Sequence, residues 1–556
     1  MAIFVRISAL TWADLLAAFA MYVMMNYLTN VWNLSTAHAA GIINIWNGIT
    51  SVLAIVFAFF VDAFTGDFFM LVVSSIAYSV GLGLLSMSTP AVFGPCKDDK
   101  KECIGHTQKV LFYIALLLIA VGMAGHMVSL TPFLDLQTKG DEENKEENVT
   151  ENENGKEKKS RGETKEGYKI FMQIPGLIMV MIVIIAGGIG LPYVKPWKLR
   201  FGIPAICSVL ATLLFFTGWP YYDRDPPKGS PLTTTVRVFV ATAHNISQPI
   251  PNHKDLYYED DTRPTSSLRC LDKAAIKVPE GQQPNKWKVC NVHEVEDTKI
   301  GIRMLPMWST FIVVGIVLSI GNTYYLEQAN HMDRKLGKIE VSIPIFLLFY
   351  KATSSISATS YSFLINCTKK YAPPVGIATG MVLSVLCCFT AAKVETRRLH
   401  RIRDHGLLDK PEDQIPMSIF ALLPQFMLLA AVDGIANNSI KGFFWNQTPE
   451  SMRRYLTYFT NGVLGLGSMA SVLSVYVVGK ISEKNGKPNW FQYTLNKSRL
   501  DRYYWVLAAL SAVNLIIYVI VAYFYEYKES PDGGADKDIP EGGDMKDDFH
   551  DKNCCC

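Results

Sequence analysis

Apolar residues come in blocks along this chain. They neither alternate nor recur at the spacing of a surface helix. Twelve blocks of about twenty residues, nearly free of charge, cover 4–28, 38–62, 68–89, 109–133, 169–192, 200–219, 304–326, 342–366, 375–394, 416–444, 455–479 and 503–525. A helix of that length crosses the hydrocarbon core of a bilayer. Backbone donors and acceptors in lipid must be bonded within the chain, so each block is predicted to be a helix. No block has the period of two that a barrel strand requires. The predicted fold class is therefore an all-α membrane protein with twelve transmembrane helices, numbered 1 to 12 in chain order. The first block starts almost at Met1 and is too long for the apolar part of a cleaved signal, so it is expected to stay as helix 1.

Two polar stretches divide the pattern. "KGDEENKEENVTENENGKEKKSRGETKEG" (139–167) is dense in charge and has no apolar period, which predicts a disordered loop. Residues 220–303, rich in Pro, Asp and Lys, separate the sixth block from the seventh. The expected organisation is a six-helix unit at 1–219, a central linker at 220–303, a second six-helix unit at 304–525 and a tail at 526–556. Both polar stretches carry many Lys and Arg, so the positive-inside rule places them, with both termini, in the cytosol. "KVETRRLHRIRDHG" (393–406) strains that assignment, because it is basic yet falls on the outer side.

Composition adds little to this. Hydrophobic residues make up 49% and mean hydropathy is +0.17, high for a chain that includes such polar loops. The net charge of +3 is confined to those loops and says little about partners; the apolar blocks make the lipid bilayer the partner, and no nucleic acid is expected. Cys96 and Cys103 share one short loop outside the cytosol, where a disulfide is permitted. Cys270 and Cys290 fall in the cytosolic linker and should stay reduced, and Cys207, Cys367, Cys387 and Cys388 read as packing residues. Cys554, Cys555 and Cys556 end the chain and are acylation candidates; an unmodified tail is the plain alternative. The spacing contains no metal site, nucleophile elbow or P-loop, so no cofactor, metal or enzymatic activity is expected.

An ordered set of motifs then resembles one family. The set is "YLTN" (27–30) with "STAHAA" (35–40), "DAFTGDF" (62–68), "FGIPA" (201–205), "GSPLT" (229–233), "RCLDKAAI" (269–276), "KVCNVHEVEDTKIGIRMLPMW" (288–308), "NHMDRKLG" (330–337), "PMSIFALLPQF" (416–426), "FFWNQTPESMR" (443–453) and "LNKSRLDRYYWVLAALSAVN" (495–514). Together they resemble the plant branch of the nitrate/peptide transporter family, the proton-dependent oligopeptide transporters of the major facilitator superfamily. The resemblance implies two six-helix bundles around a central cavity, working by alternating access on a small solute such as nitrate, a peptide or a related metabolite, with protons as the usual co-substrate. It also implies residence in the plasma membrane or the vacuolar membrane.

The chain departs from the family where charge matters. Helix 1 of the family carries E-x-x-E-R; counted back from "YLTN", those positions are Leu10, Ala13 and Asp14. The family's lysine on helix 4 follows a Gly-Gly-His run. Here "GMAGHMVS" (122–129) keeps His126 and puts Met127 in the lysine's place. The F-G-A-D-Q motif is reduced to "FLDLQ" (133–137). The helix 10 glutamate falls on Asp433, and the helix 7 histidine of some nitrate transporters falls on Leu318. A charge at the bilayer centre costs about 2.5–3.5 kcal/mol on insertion scales, so the few that remain should be purposeful. Three readings stay open: uniport or export driven by the solute gradient, proton coupling through Asp433 with His126 as the weaker candidate, or loss of transport.

Each candidate has a plainer reading. Asp433 is either a coupling site or a carboxylate bonded to a neighbouring helix. Asp14 sits in a wet cavity mouth or near the headgroups. His126 titrates near neutral pH or packs against a backbone carbonyl. Lys351 attracts an anion or snorkels to the interface, and Lys441 poses the same choice. Asn437, with Asn438 and Ser439, lines a cavity or bonds a neighbour. Arg453 and Arg454 read as topology anchors. Asp62 and Gly66 belong to the loop between helices 2 and 3, where the superfamily has its gate: Asp62 as a cap and Gly66 for the tight turn. The leading function is a secondary transporter of a small polar or anionic solute. The alternative is a non-transporting sensor or scaffold on the same fold.

Overall fold

The computed structural model describes residues 2–90, 104–150, 176–227, 229–249, 265, 267–277, 287–368 and 372–525. Each of the twelve blocks holds a helix within its described residues, and the tenth opens on a short strand, Ile415–Ser418, ahead of its helix. Helix 1 is Ala2–Tyr22, continued as Met24–Asn30. Helices 2 and 3 are Thr36–Phe60 and Gly66–Met87, joined by the π-helical turn Val61–Thr65. Helix 4 is His106–Thr150, helix 5 ends at Tyr193 and helix 6 is Trp197–Phe216. Helix 7 is Val292–Ser319, prolonged through Gly321–Tyr325 to Leu326–Asn330. Helices 8 to 12 are Ile345–Thr368, Ala372–Asp404, Leu423–Gln447, Leu456–Ser482 and Leu500–Phe524. Ten described stretches are long and apolar enough to cross a membrane. One of them holds helices 2 and 3 end to end, and helix 8, rich in Ser and Thr, is the span outside that set.

Helices outrun their apolar blocks where they leave the lipid. Helix 7 starts at Val292 and not at 304, because Asn291 and Glu294 form a reciprocal capping box there. Helix 4 runs to Thr150, into the stretch expected to be a disordered loop; the rest of that stretch lies outside the described residues. Helix 9 carries the basic run 393–406 out to Asp404. Of its arginines, Arg398 is fully buried and paired with Glu395 at 2.7 Å, while Arg397, Arg401 and Arg403 are exposed. The strain with the charge rule is therefore reduced by one cation that is neutralised inside the protein.

Helices 1, 2, 3, 4 and 6 pack on one another, as do helices 7 to 12, and helix 11 packs along helix 2 to join the two groups. Glycines allow that approach. A Cβ at Gly467 would overlap the Ile312 carbonyl oxygen, and one at Gly315 would overlap that of Leu464. Gly467→Val is therefore expected to force helices 7 and 11 apart and cost roughly 1–3 kcal/mol. Thermal unfolding in detergent checks this against Gly83→Val, where nothing lies within 4 Å of an added Cβ and no loss is expected.

The linker is partly built. Its helix Pro231–His244 lays Val238 and Ala241 in one core with Leu271, Ala274 and Val295. Lys299 is fully buried there, paired with Asp272 at 2.5 Å and Glu296 at 2.7 Å. Burial holds the Asp272 carboxyl above the usual carboxylate range despite its lysine. Cys387 and Cys388 are buried free thiols, as packing residues are; Cys270 and Cys290 are free as well. Cys96, Cys103, Cys554, Cys555 and Cys556 lie outside the described residues.

Candidate functional site

Residues four apart on a helix share a face. On helix 1 that face holds Asp14, exposed Ala18 and Tyr22. Asp14 Oδ2 lies 2.8 Å from Nδ1 of His126 on helix 4, and His126 Nε2 lies 2.9 Å from Oγ of Ser75 on helix 3. The Tyr78 ring stands edge-on to the imidazole with centroids 5.5 Å apart. The glycines of "GMAGHMVS" permit this arrangement, since a Cβ at Gly122 would overlap Tyr78 and one at Gly125 would overlap Ser74. His126 is buried, and 26% of the Asp14 side chain is exposed. Asp14 Oδ1 is covered and has no hydrogen-bond partner among the described residues.

The upper part of the same face reaches the second bundle. Tyr22 lies eight residues, about 12 Å, beyond Asp14 and within electrostatic reach of Tyr350 on helix 8. Tyr350 lies within electrostatic reach of Asp433 on helix 10. Ser354 Oγ donates to Asp433 Oδ2 at 3.3 Å. Below Asp433, Asn437 and Lys441 follow at the same four-residue spacing. Asn437 Oδ1 is covered and unpartnered among the described residues. The two acids thus belong to faces that converge between the bundles. Lys351 is exposed on helix 8. Leu10 and Ala13 pack in an apolar cluster with Phe68 and Phe133, so the lost helix 1 charges have been replaced by core. Met127 turns toward helix 11, its Sδ 3.5 Å from Asn461 Nδ2.

Polar ties join the bundles at both ends. At the linker end Arg454, ahead of helix 11, sits 2.8 Å from Asp62 and 2.7 Å from Asp67. Asp62 therefore acts as an ion-pair partner in place of the expected cap, and its carbonyl accepts the Gly229 N–H at 2.9 Å. Gly66 has φ +70°, a conformation that favours glycine. Nearby, the Tyr455 and Ser230 hydroxyls are 2.8 Å apart. At the far end Thr29 donates to Glu327 Oε2 at 3.0 Å, Asn330 donates to Asn30 at 3.0 Å, and His331 Nε2 lies 3.1 Å from Glu327 Oε1. Sequence reasoning missed Glu327, which falls just past the seventh block, and took Arg454 for an anchor. The "D-x-x-x-x-D" spacing of Asp62 and Asp67 was the available hint of a basic partner.

Twelve helices in two bundles, with scarce charges held between them and polar ties at each end, make up the architecture of a secondary transporter of the major facilitator superfamily. The pattern of the POT family matches residues 68–491, and the chain belongs to that family. It is 38% identical over 547 residues to Protein NRT1/ PTR FAMILY 5.5 of Arabidopsis thaliana, covering 95% of this chain and 97% of that one. It is 30% identical over 538 residues to Protein NRT1/ PTR FAMILY 8.1 of the same plant, covering 91% and 90%. The crystal structure of an auto inhibited POT family peptide transporter superposes with TM-score 0.64 at 14% identity, covering 96% of this chain and 99% of that one. A POT family transporter in complex with 5-aminolevulinic acid superposes with TM-score 0.56 at 9% identity, covering 94% and 96%. The chain is thus an integral multi-pass membrane transporter and not an enzyme.

Proposed function

We propose that this transporter moves a small solute bearing an amino group, of the peptide or amino-acid-like class, by alternating access between the two bundles. One observation carries the reading: the converging faces of helices 1 and 10 bring two carboxylates, Asp14 and Asp433, with Lys441 two turns from the second. Of the family's two basic positions in the first bundle, one is Asp14 itself and the other is Met127, and among the described residues the ionisable group paired with Asp14 is His126. An inorganic anion such as nitrate would meet two like charges against one lysine there. A zwitterion instead finds carboxylates for its ammonium, with Asn437 and Lys441 one and two turns from Asp433 for its carboxylate. The ties at Arg454 and Glu327 serve as the contacts that open and close, with the linker end in the cytosol. The relative bound to 5-aminolevulinic acid supports the class, because that molecule has an amino group at one end and a carboxylate at the other.

Counterflow in proteoliposomes tests this. Vesicles loaded with dialanine or 5-aminolevulinic acid should take up labelled dialanine, and vesicles loaded with nitrate should not. Nitrate counterflow would overturn the solute class. Absence of flux for every solute would leave a sensor or scaffold on a transporter fold.

A further inference from the structure

We infer that a proton on the Asp14–His126 pair and the ammonium of the solute compete for the same carboxylate, which makes this protein a proton/solute exchanger. The inference rests on the amino-solute reading above and adds the direction of coupling to it.

The geometry supplies the elements in order. Asp14 has two oxygens in different circumstances. Oδ2 is engaged by the imidazole at 2.8 Å, while Oδ1 is covered and unpartnered among the described residues. A carboxylate oxygen removed from water and left without a donor is costly, so a cationic donor is what this atom lacks. The imidazole bonds at both nitrogens, and its outer partner is a hydroxyl. A hydroxyl both donates and accepts. With neutral His126, Nδ1–H donates to Asp14 and Nε2 accepts from Ser75. With protonated His126, Nε2–H donates to Ser75 Oγ instead. Either state is satisfied by a turn of one hydroxyl, so the pair carries a net charge of −1 or 0 without repacking.

Among the described residues, the groups bonded to the pair and to its neighbours on helices 3 and 11 are neutral, and Arg6 lies two turns before Asp14 on helix 1. Helix 1 contributes Asp14, with apolar Leu10 and Ala13 on the preceding turn. Helix 3 contributes Ser75 and the Tyr78 ring. Helix 11 contributes Asn461 against Met127 and the Tyr458 hydroxyl on the Val128 carbonyl. Asp62, Asp67 and Arg454 satisfy one another at the linker end.

The consequence is a linkage. Deprotonated, the pair offers an anionic oxygen to an ammonium. Protonated, it is neutral and the ammonium loses its counter-charge. Each ligand lowers the affinity of the other by one factor, whichever binds first. An arriving ammonium therefore releases the imidazole proton to water, and the site's charge is conserved one for one. A carrier cycling between the two occupied states moves solute one way and a proton the other.

The experiment uses the full-length protein in detergent, so that binding is read apart from flux. The probes are dialanine, 5-aminolevulinic acid and N-acetyl-dialanine, which lacks the ammonium. Binding of the first two is expected to weaken as pH falls, by as much as about tenfold per pH unit, and their addition should release protons to a pH dye. N-acetyl-dialanine should not bind. His126→Gln should bind with one affinity at every pH and release no protons. Asp14→Asn should lose binding, and Asp14→Glu should restore it, which separates loss of the carboxylate from misfolding. Tighter binding at low pH, an unchanged pH profile in His126→Gln, equal binding of the acetylated probe, or no binding of either amine at pH 7.5 would each overturn the exchange. pH-linked binding without counterflow would instead count against the transport reading alone.

Discussion

Arg398→Met is expected to destabilise the protein by about 3–5 kcal/mol, more than any surface substitution. Arg398 and Glu395 are both fully buried at the far end of the second bundle. The guanidinium grips the carboxylate with two donors, Nε to Oε2 at 2.7 Å and Nη2 to Oε1 at 2.8 Å. Nη1 also donates to Asn496 at 3.2 Å, and Nη2 to the Leu495 carbonyl at 3.3 Å. Gln328 on helix 7 donates to Glu395 at 2.5 Å and itself accepts from Gln425 on helix 10 at 3.0 Å. One network thus ties helices 7, 9 and 10 to the turn before helix 12. Methionine fills part of the volume but strands an anion in a dry site, and that stranded charge, not the lost attraction, supplies the penalty. The double variant Glu395→Leu with Arg398→Met is accordingly expected to recover most of the loss, because an apolar replacement of a whole buried pair is often neutral. Thermal unfolding of the two single variants and the double variant decides. Simple additivity would show that the two side chains act independently.

The same network shows what the sequence discloses and what it hides. Lipid imposes one rule on every span, so the apolar blocks located all twelve helices. Beyond the lipid that rule lapses. Water tolerates a helix of any composition: helix 7 is extended back to Val292 by its capping box, and helices 4 and 9 run past their apolar blocks to Thr150 and Asp404. The basic run on helix 9 looked misplaced because sequence counts arginines and does not see that Arg398 is neutralised within the fold.

The candidate site divides in a similar way. Asp14, His126 and Asp433 are conspicuous because each is polar within an apolar block, and burial of a polar group demands a reason. Their partners were not legible. Asp14 and His126 are 112 positions apart, and their meeting depends on how helices 1 and 4 are rotated and how closely Gly122 and Gly125 let helix 3 approach. Reading His126 and Asp14 as separate weak candidates understated them, since together they form one hydrogen-bonded chain with Ser75. Glu327 went unnoticed because a polar residue at a block edge looks like the start of a loop. Leu10 and Ala13 give the opposite lesson: the family's lost charges left no gap, because apolar side chains fill those places.

Arg454→Gln is expected to give the largest functional change outside the solute site, about 5–30-fold in the balance between linker-end closed and open forms. Arg454 belongs to the segment leading into helix 11, and its two partners lie in the turn between helices 2 and 3 and in the first turn of helix 3, so the ion pairs span the bundles. The arginine is partly exposed, at 38%, which argues for discounting the attraction toward 1–2 kcal/mol in total. Two features keep it from vanishing. Both Asp67 oxygens are engaged, at 2.7 and 3.0 Å, and Asp62 is held in place through its carbonyl by Gly229. Removing the guanidinium also leaves two carboxylates facing each other, so repulsion adds to the lost attraction. A bond made in only one conformer shifts the equilibrium by its own energy and no further. Counterflow should therefore change in Arg454→Gln without a change in solute affinity measured in detergent. High salt should move the wild type toward the variant and leave the variant unmoved, because screening acts only on a charge that is present. The swap Asp67→Arg with Arg454→Asp should restore part of the wild-type rate. If Arg454→Gln instead matches the wild type in counterflow at low salt, the ion pairs are equally strong in both conformers, and the gate must be sought at Glu327 and His331 on the far end.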